Sequence, residues 1–260
     1  MSSGIINSYI LGIDEVGRGA LAGPVTLAGV AIPTSWPLET NFYNPKDFEK
    51  IINFRIFNNN SELSRNLKKT LSIVRDSKKL NQTKRELVAR IVNQNPHLFN
   101  HFIVSCSNQL IDQFGIGVCL SHLVALVILE IGNIKTLSQI IIDGKIKILE
   151  VLNSNLCQLI LTENKLDPNL FCKWSNFAAS QRQLITGENY ADDKYLNVAL
   201  ASNIAKVWRD NYMIQLSHTF PNYNWLKNKG YGTAQNREAI VIDPNNEFLR
   251  QSFLKKILGS

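Results

Sequence analysis

Short apolar runs alternate with polar and glycine-rich stretches along the 260-residue chain. Runs of strand length and β-branched character predict four strands, at positions 9–13, 24–32, 101–105 and 139–142. The first two strands lie on either side of a glycine-rich turn, which predicts a hairpin. Longer apolar patterns predict a buried helix from Gly117 to Ile131 and a long helix from about Lys194 to Leu216. Strands and helices are mixed throughout, so the pattern indicates an α/β fold.

Capping signals and irregular stretches complete this outline. Thr83 with Glu86 fits a capping box, which predicts a helix that runs to about Val92. Two stretches without a clean period, about 36–66 and 147–188, are interpreted as insertions. We expect a short helix at Phe48 to Phe54 in the first insertion and strands in the second. The whole chain, 1–260, is interpreted as a single domain whose C-terminal part, about 217–260, is helical.

Charge and cysteine content narrow the functional classes. The formal net charge of +7 and the pI of about 9.2 favour a polyanionic partner, of which nucleic acid is the commonest. The four cysteines form no C-x-x-C pair, so we expect reduced thiols in a cytoplasmic protein. No signal-peptide pattern is visible, and the longest apolar stretch, Val118 to Leu129, is too short to span a bilayer. We therefore predict no membrane association.

Acidic residues follow or precede the apolar elements. Asp14 and Glu15 end the first strand run, Asp143 ends the run 139–142, and Asp192 precedes the long helix. Carboxylates at neighbouring strand ends can converge, and hard divalent cations prefer such oxygen ligands. Adjacent strand residues point to opposite faces, so Asp14 and Glu15 share a site only if the strand ends there. The alternative is that these acids are ordinary turn residues.

Six segments, in this order along the chain, resemble motifs of the ribonuclease HII family. The first is Gly12-Ile-Asp-Glu-Val-Gly-Arg-Gly-Ala-Leu-Ala-Gly-Pro-Val25, which is similar to the opening signature of the family. The others are Asp76-Ser-Lys-Lys-Leu80, Ile142-Asp-Gly144, Ala199-Leu-Ala-Ser-Asn-Ile-Ala-Lys-Val-Trp-Arg-Asp210, Lys229-Gly-Tyr-Gly-Thr233 and Arg250-Gln-Ser-Phe253. The resemblance covers most of the chain outside the two insertions.

The resemblance implies a ribonuclease H fold, with a mixed central sheet flanked by helices. It also implies four catalytic, metal-binding acids and a pair of Mg²⁺ or Mn²⁺ ions. Asp14, Glu15 and Asp143 match the motifs directly. The fourth acid, ten residues before Ser202, is Asp192; a shift of one register makes it Asp193. Ala191 stands where the family usually has glycine, and Asn228 where it often has histidine.

The same resemblance implies a set of substrate contacts. In the family the Gly-Arg-Gly turn reads the ribose 2′-hydroxyl through backbone groups, and the tyrosine of the fifth motif packs on a sugar at the RNA–DNA junction. Glycine permits this close backbone approach, and the 2′-hydroxyl distinguishes RNA from DNA. The expected substrate-binding residues are Gly17, Arg18, Gly19, Lys78, Lys79, Ser202, Lys206 and Tyr231. For Lys206 the alternative is a helix-surface ion pair with Asp210.

The implied function is hydrolysis of the RNA strand of RNA–DNA hybrids. It includes cleavage on the 5′ side of ribonucleotides embedded in duplex DNA, leaving 3′-hydroxyl and 5′-phosphate ends, as in ribonucleotide excision during replication and repair. Two alternatives remain open: another nuclease of the ribonuclease H-like superfamily, and a hybrid-binding protein that has lost catalysis. The tail from Gln251 to Leu258 faintly resembles a sliding-clamp peptide, although an amphipathic helix explains it better. Nothing in the sequence demands more than a monomer.

Overall fold

A five-stranded mixed sheet forms the centre of the protein. The computed structural model describes residues 8–36, 74, 80–149 and 151–259. Most of the first predicted insertion, including the helix expected at 48–54, lies outside these residues, as do Lys78 and Lys79. The strands are β1 (Tyr9–Val16), β2 (Val25–Pro33), β3 (Asn100–Cys106), β4 (Leu137–Asp143) and β5 (Ile185–Glu188). Their order in the sheet is β3-β2-β1-β4-β5.

Helices flank this sheet on both faces and form the C-terminal part. They are α1 (Gln82–Gln94), α2 (Asn108–Phe114), α3 (Ile116–Ile134), α4 (Ser154–Glu163), α5 (Trp174–Gln181), α6 (Ala191–Lys194), α7 (Leu196–Thr219), α8 (Trp225–Asn228), α9 (Ala234–Ile242) and α10 (Gln251–Leu258). The predicted mixed α/β fold is thereby confirmed, including the first hairpin, in which β1 and β2 pair antiparallel. The predicted buried and long helices correspond to α3 and α7.

Two apolar layers explain why these strands read as continuous hydrophobic runs. Every residue of β2 is buried, because α3 covers one face of the sheet while α1 and α7 cover the other. Within the described residues, α3 is the one helix long and apolar enough to cross a membrane, but most of it is buried in this core. The pattern of α3 is therefore that of a core helix.

Gly12 brings β1 and α7 into close contact. A Cβ atom at this position would lie 2.5 Å from the backbone nitrogen of Val198 and 2.6 Å from the backbone carbon of Asn197. The Asn197 side-chain amide also donates a hydrogen bond to the Ile10 carbonyl at 3.2 Å. This approach fixes the position of α7 relative to the end of β1.

Two local predictions were wrong. The helix predicted to begin at Thr83 is capped two residues earlier by Asn81, whose side chain accepts from the Lys84 N–H at 3.0 Å. Glu86 does not complete a capping box but accepts from the Gln82 side chain at 2.8 Å. Asn81 rather than Thr83 is the N-cap because its side-chain oxygen accepts the Lys84 N–H, which has no partner within the first turn of the helix.

The second predicted insertion is mainly helical rather than built from strands. Between residues 147 and 188 the described chain forms α4 and α5, and only β5 at its end is a strand. Hydrogen bonds attach the segment to α3: the Leu149 N–H donates to the Ser121 hydroxyl at 2.9 Å, the Asn153 N–H donates to His122 Nε2 at 2.9 Å, and Lys173 Nζ donates to Asn133 Oδ1 at 2.8 Å. The segment therefore packs on the sheet as part of the core, and β5 extends that sheet.

Candidate active site

Parallel pairing of β1 and β4 brings two carboxylates to one edge of the sheet. Ile13 lies opposite Ile142 in this pairing, so Asp14 and Asp143 follow at equivalent positions. Asp143 Oδ1 accepts the N–H of Ala191 at 2.8 Å, which ties the start of α6 to β4. Asp192 then joins the pair: one carboxylate oxygen from each of the three residues lies within 4.8 Å of the others. The three acids come from distant parts of the sequence and meet at one point.

Asp14 is the member of this cluster whose surroundings most clearly oppose its charged form. Its side chain is buried, and burial raises its pKa well above the ordinary value. The charges of Glu15, Asp143 and Asp192 raise it further, while a hydrogen bond with the buried Ser202 hydroxyl lowers it. A carboxylate held under such repulsion gains strongly from a nearby cation.

Glu15 lies at the margin of the cluster. Contrary to expectation, β1 does not end at Asp14 but continues through Glu15 to Val16. The Glu15 carboxylate is outside the group of three and pairs with Arg18 at 3.6 Å. Burial and the charge of Asp143 still raise its pKa, against the opposing charge of Arg18. Its buried Oε2 has no hydrogen-bond partner among the described residues, so this oxygen is available to a ligand.

Of the two acids at the start of α6, one lies in the carboxylate cluster. Asp192 is buried and belongs to the cluster, whereas Asp193 is partly exposed and lies outside it. Ala191, which replaces the glycine usual in the family, is fully buried and donates the N–H that holds Asp143. The alanine is therefore compatible with this arrangement of acids.

A cavity of about 430 Å³ opens beside the acids. Its lining includes Asp14, Glu15, the Gly17–Gly19 turn, Ser202, Lys206 and Tyr231. The structure therefore brings together every substrate-binding residue predicted from sequence that it describes. A Cβ atom on Gly19 would meet nothing within 4 Å, so the turn is open on that side.

Lys206 has the helix-surface partner that the alternative interpretation named. Its ammonium group contacts Asp210 Oδ1 at 2.6 Å, and Asp210 also lies 3.8 Å from Arg85. The Lys206 nitrogen is 5.8 Å from the centre of the Tyr231 ring, within the range of a cation–π contact. The ion pair and a position on the cavity wall therefore coexist, and the pairing holds the lysine beside Tyr231.

Two arginines that sequence reasoning did not single out lie behind the Gly-Arg-Gly turn. Arg209 and Arg250 are both fully buried, and their guanidinium groups contact backbone carbonyls of residues 18–24. Both belong to segments that resemble family motifs, so the motifs contained them. No signal in the sequence separates a buried arginine from an exposed one, since arginine is mostly exposed in proteins.

The donor set suits hard divalent cations. Three clustered carboxylates offer only oxygen ligands, and cysteine and histidine are absent from the described part of this cluster. Such sets bind Mg²⁺ or Mn²⁺ in preference to softer metals. The unpartnered Oε2 of Glu15, which lines the same cavity as Asp14, is a further carboxylate oxygen beside the cluster.

Comparisons with known proteins agree on one family. The family model described as Ribonuclease HII matches residues 62–256. A ribonuclease HII of Clostridium perfringens strain SM101 is 31% identical over 250 residues, covering 96% of this chain and 68% of that protein. A ribonuclease HII of Treponema denticola is 31% identical over 249 residues, covering 96% of this chain and 100% of that protein.

Solved structures show the same fold. Ribonuclease H2 from Pyrococcus horikoshii OT3 aligns with a TM-score of 0.57 at 18% identity, covering 96% of this chain and 97% of that one. RNase HII of Archaeoglobus fulgidus, solved in complex with PCNA, aligns at 0.54 and 22% identity, covering 94% and 93%. Bst-RNase HIII in complex with Mn²⁺ aligns at 0.51 and 18% identity, covering 98% and 68%.

Proposed function

Because this chain belongs to the ribonuclease HII family and is thus an endoribonuclease acting on RNA–DNA hybrids, we propose that it also cuts on the 5′ side of single ribonucleotides in duplex DNA. The observation that carries the proposal is the shared cavity: Asp14 of the carboxylate cluster, the neighbouring Glu15 and the Gly17–Gly19 turn line the same space, together with Tyr231. The turn proposed to recognise the ribose 2′-hydroxyl therefore lies beside a carboxylate proposed to hold metal at the scissile phosphate.

The acids are proposed to hold two divalent ions, with Asp14 and Asp143 central and Glu15 and Asp192 at the sides. When bound, such a pair lowers the pKa of a water molecule and neutralises the charge on the leaving oxygen. The Mn²⁺ complex of a related fold, Bst-RNase HIII, supports divalent metal use, and the oxygen-only donor set supports Mg²⁺ equally.

The other residues are proposed to position the substrate. The Ser202 hydroxyl orients the Asp14 carboxylate through a hydrogen bond. Tyr231 offers an aromatic face for a sugar at the junction, and Lys206 a positive charge for a phosphate. Lys78 and Lys79 remain proposed phosphate contacts on the family motif alone, because they lie outside the described residues.

A cleavage assay with three substrates tests the proposal. Labelled DNA duplex with one ribonucleotide, all-DNA duplex and long RNA–DNA hybrid are each incubated with Mg²⁺, with Mn²⁺ and with chelator. We expect metal-dependent cleavage on the 5′ side of the lone ribonucleotide. Cleavage of the long hybrid alone would remove the junction claim and keep the nuclease. Cutting of all-DNA duplex would favour another superfamily nuclease, and tight binding without cleavage a catalytically inactive protein.

Adjacent acids provide matched variants for the metal site. Asp192→Asn should lower kcat about 100-fold or more, since a metal ligand contributes several kcal/mol to the transition state. Asp193→Asn makes the same chemical change one residue away, outside the cluster, and should stay within a few-fold of the unmodified protein. Equal losses in the two variants would contradict the assignment of Asp192.

A sliding clamp is a secondary candidate partner, supported by the PCNA complex of the Archaeoglobus protein. In this chain Leu254 is buried and Phe253 packs against the core, with Arg250 5.3 Å from the Phe253 ring. Leu258 is more exposed, so the last turn of α10 offers the contact surface. Clamp binding by the intact chain and by Leu258→Ser tests this. Cytoplasmic location and a role in replication and repair remain predictions.

A further inference from the structure

Two guanidinium groups lie directly behind the turn that faces the substrate cavity. Arg209, on α7, and Arg250, at the start of α10, have no exposed surface. Among the described residues neither forms a salt bridge with a carboxylate. The hydrogen bonds that their guanidinium groups donate go instead to backbone carbonyls, while Nη2 of Arg250 has no partner among the described residues.

Arg209 joins the loop to the segment that carries Tyr231. Its Nε donates to the Pro24 carbonyl at 2.8 Å, and its Nη2 donates to the Ala22 carbonyl at 3.0 Å. Its Nη1 donates to the Lys229 carbonyl at 2.9 Å, and the guanidinium carbon lies 5.4 Å from the Tyr231 ring. One side chain therefore fixes the loop and the tyrosine relative to each other.

Arg250 forms hydrogen bonds with the turn and with the loop that follows it. Its Nε donates to the Gly23 carbonyl at 2.9 Å, and its Nη1 donates to the Arg18 carbonyl at 3.1 Å. The backbone N–H of Arg250 also donates to the Leu21 carbonyl at 2.8 Å. These hydrogen bonds hold the loop from its buried side at residues 18, 21 and 23.

The bond to the Arg18 carbonyl determines where the next N–H points. In a trans peptide the C=O of one residue and the N–H of the next lie in one plane and point in opposite directions. The Arg18 carbonyl faces Arg250, so the N–H of Gly19 faces away from it. Gly19 is exposed, lines the cavity and has open space at its Cβ position.

The two glycines of the turn consequently serve different purposes. Gly17 has a positive φ of 87°, and a Cβ on it would lie 2.1 Å from Arg209 Nε, so it must be glycine to let the arginine pass behind it. Gly19 meets no such obstacle. Gly17 thus leaves room for the Arg209 side chain, and Gly19 leaves the cavity side of the turn open.

Two buried positive charges are a costly way to stabilise a loop. Burial and the charge of Arg209 lower the pKa of Arg250 to about 9. Apolar residues of similar volume commonly fill such positions at lower free energy. A guanidinium offers what they lack, namely several donors in a rigid planar fork.

We propose that Arg209 and Arg250 are positioning residues for ribose selectivity. They hold the Arg18–Gly19 peptide and Tyr231 in the arrangement that receives the 2′-hydroxyl. The inference rests on the proposed reading of single ribonucleotides by the Gly17–Gly19 turn. It assigns the selectivity to residues that never contact the substrate.

The test measures selectivity separately from affinity. In an Asp14→Asn background, which prevents cleavage, Kd is measured by fluorescence anisotropy for a duplex with one ribonucleotide and for the all-DNA duplex. We expect Arg250→Lys and Arg209→Lys each to lower the ratio of the two affinities about tenfold, the effect of one misplaced hydrogen bond to a ligand. Affinity for the all-DNA duplex should change less than twofold, because backbone contacts elsewhere are unaltered.

The matched control is Arg90→Lys, the same substitution at an exposed position of α1, which should leave the ratio unchanged. Each protein is measured well below its own unfolding midpoint. A merely structural role would weaken both duplexes equally and leave the ratio unchanged, which would overturn the inference. If the Asp14→Asn protein with both arginines intact bound the two duplexes equally well, the proposed function itself would fail.

Discussion

Replacement of Asp14 by asparagine removes a charge from the carboxylate cluster and preserves the shape of the side chain. Ligand oxygens of Asp14, Asp143 and Asp192 lie within 4.8 Å of one another. At that separation two full charges repel by about 3.5 kcal/mol when the effective dielectric constant is about 20. Burial of the Asp14 carboxylate adds to the cost of its charge, and burial and repulsion together raise its pKa. We therefore expect metal-free Asp14→Asn to be more stable than the unmodified protein by about 1–3 kcal/mol.

Thermal unfolding in chelator at neutral pH measures this difference. For a chain of this size the midpoint should rise by about 2–4 °C for each kcal/mol. Added Mn²⁺ or Mg²⁺ should reverse the order, because the unmodified protein binds the ion in its native state and is stabilised by linkage. The variant should lose cleavage and keep hybrid binding, so stability and activity change in opposite directions.

Asp193→Asn is the control, since it removes a charge from the neighbouring position outside the cluster. It should alter the midpoint in chelator far less than Asp14→Asn does. A metal-free Asp14→Asn protein that is less stable than the unmodified one would refute the electrostatic reasoning. Full cleavage by that variant would refute the role of Asp14 in catalysis.

Three further predictions follow from the same geometry. The pKa of Asp14 is higher in the native state than its ordinary value of 3.8, so the native state binds more protons between these two values. The free energy of unfolding of the metal-free protein should therefore fall as pH rises through that window. Denaturant titrations at several pH values should show this fall in the unmodified protein and a smaller fall in Asp14→Asn. The same pH dependence in both proteins would contradict the prediction. Gly12→Ala places a Cβ 2.5 Å from the Val198 nitrogen and should cost about 1–3 kcal/mol of unfolding free energy; Gly132→Ala, with its nearest neighbour at 3.9 Å, is the control and should cost nothing. Tyr231→Ala should reduce kcat/KM on the single-ribonucleotide duplex about 10–100-fold, as expected for a lost stacking surface, whereas Tyr231→Phe should retain most of it; equal activity in both variants would argue against packing by the ring.

The sheet and the acids were accessible from sequence for a physical reason. Strands buried on both faces leave nearly unbroken apolar runs; β1 and β2 have this form, and so does the stretch Ile140–Ile142 of β4. Once β1 and β4 are neighbours in parallel, Asp14 and Asp143 must lie together at the same edge. Pattern alone left the fourth acid open between adjacent residues, because a one-residue register in a loop has no periodic signal.

The features that escaped prediction depend on distant or competing contacts. Arg209 and Arg250 are buried because carbonyls 185 and 227 positions away accept their hydrogen bonds, and no local pattern encodes such partners. The start of α1 was misplaced because Asn81 and Thr83 are both good capping residues two positions apart. The hydrogen bond from the Asn153 N–H to His122 on α3 attaches this segment to the core, and it too is a tertiary contact.

The hydrogen bond between Arg250 and the Arg18 carbonyl joins residues 232 positions apart. Contacts of such long range form late, since the chain must close a large loop before it gains from them. Synthesis proceeds from the N-terminus, so a nascent chain displays Asp14 and the Gly-Arg-Gly turn well before the residue that grips this turn exists. A chain that still lacks residue 250 would thus contain the acids, but its Gly-Arg-Gly turn would lack the hydrogen bond that fixes the Arg18 carbonyl. Under the proposed role of Arg250, selective cutting requires synthesis to have passed residue 250, and we expect proteolytic removal of the chain from residue 250 onward to abolish that selectivity.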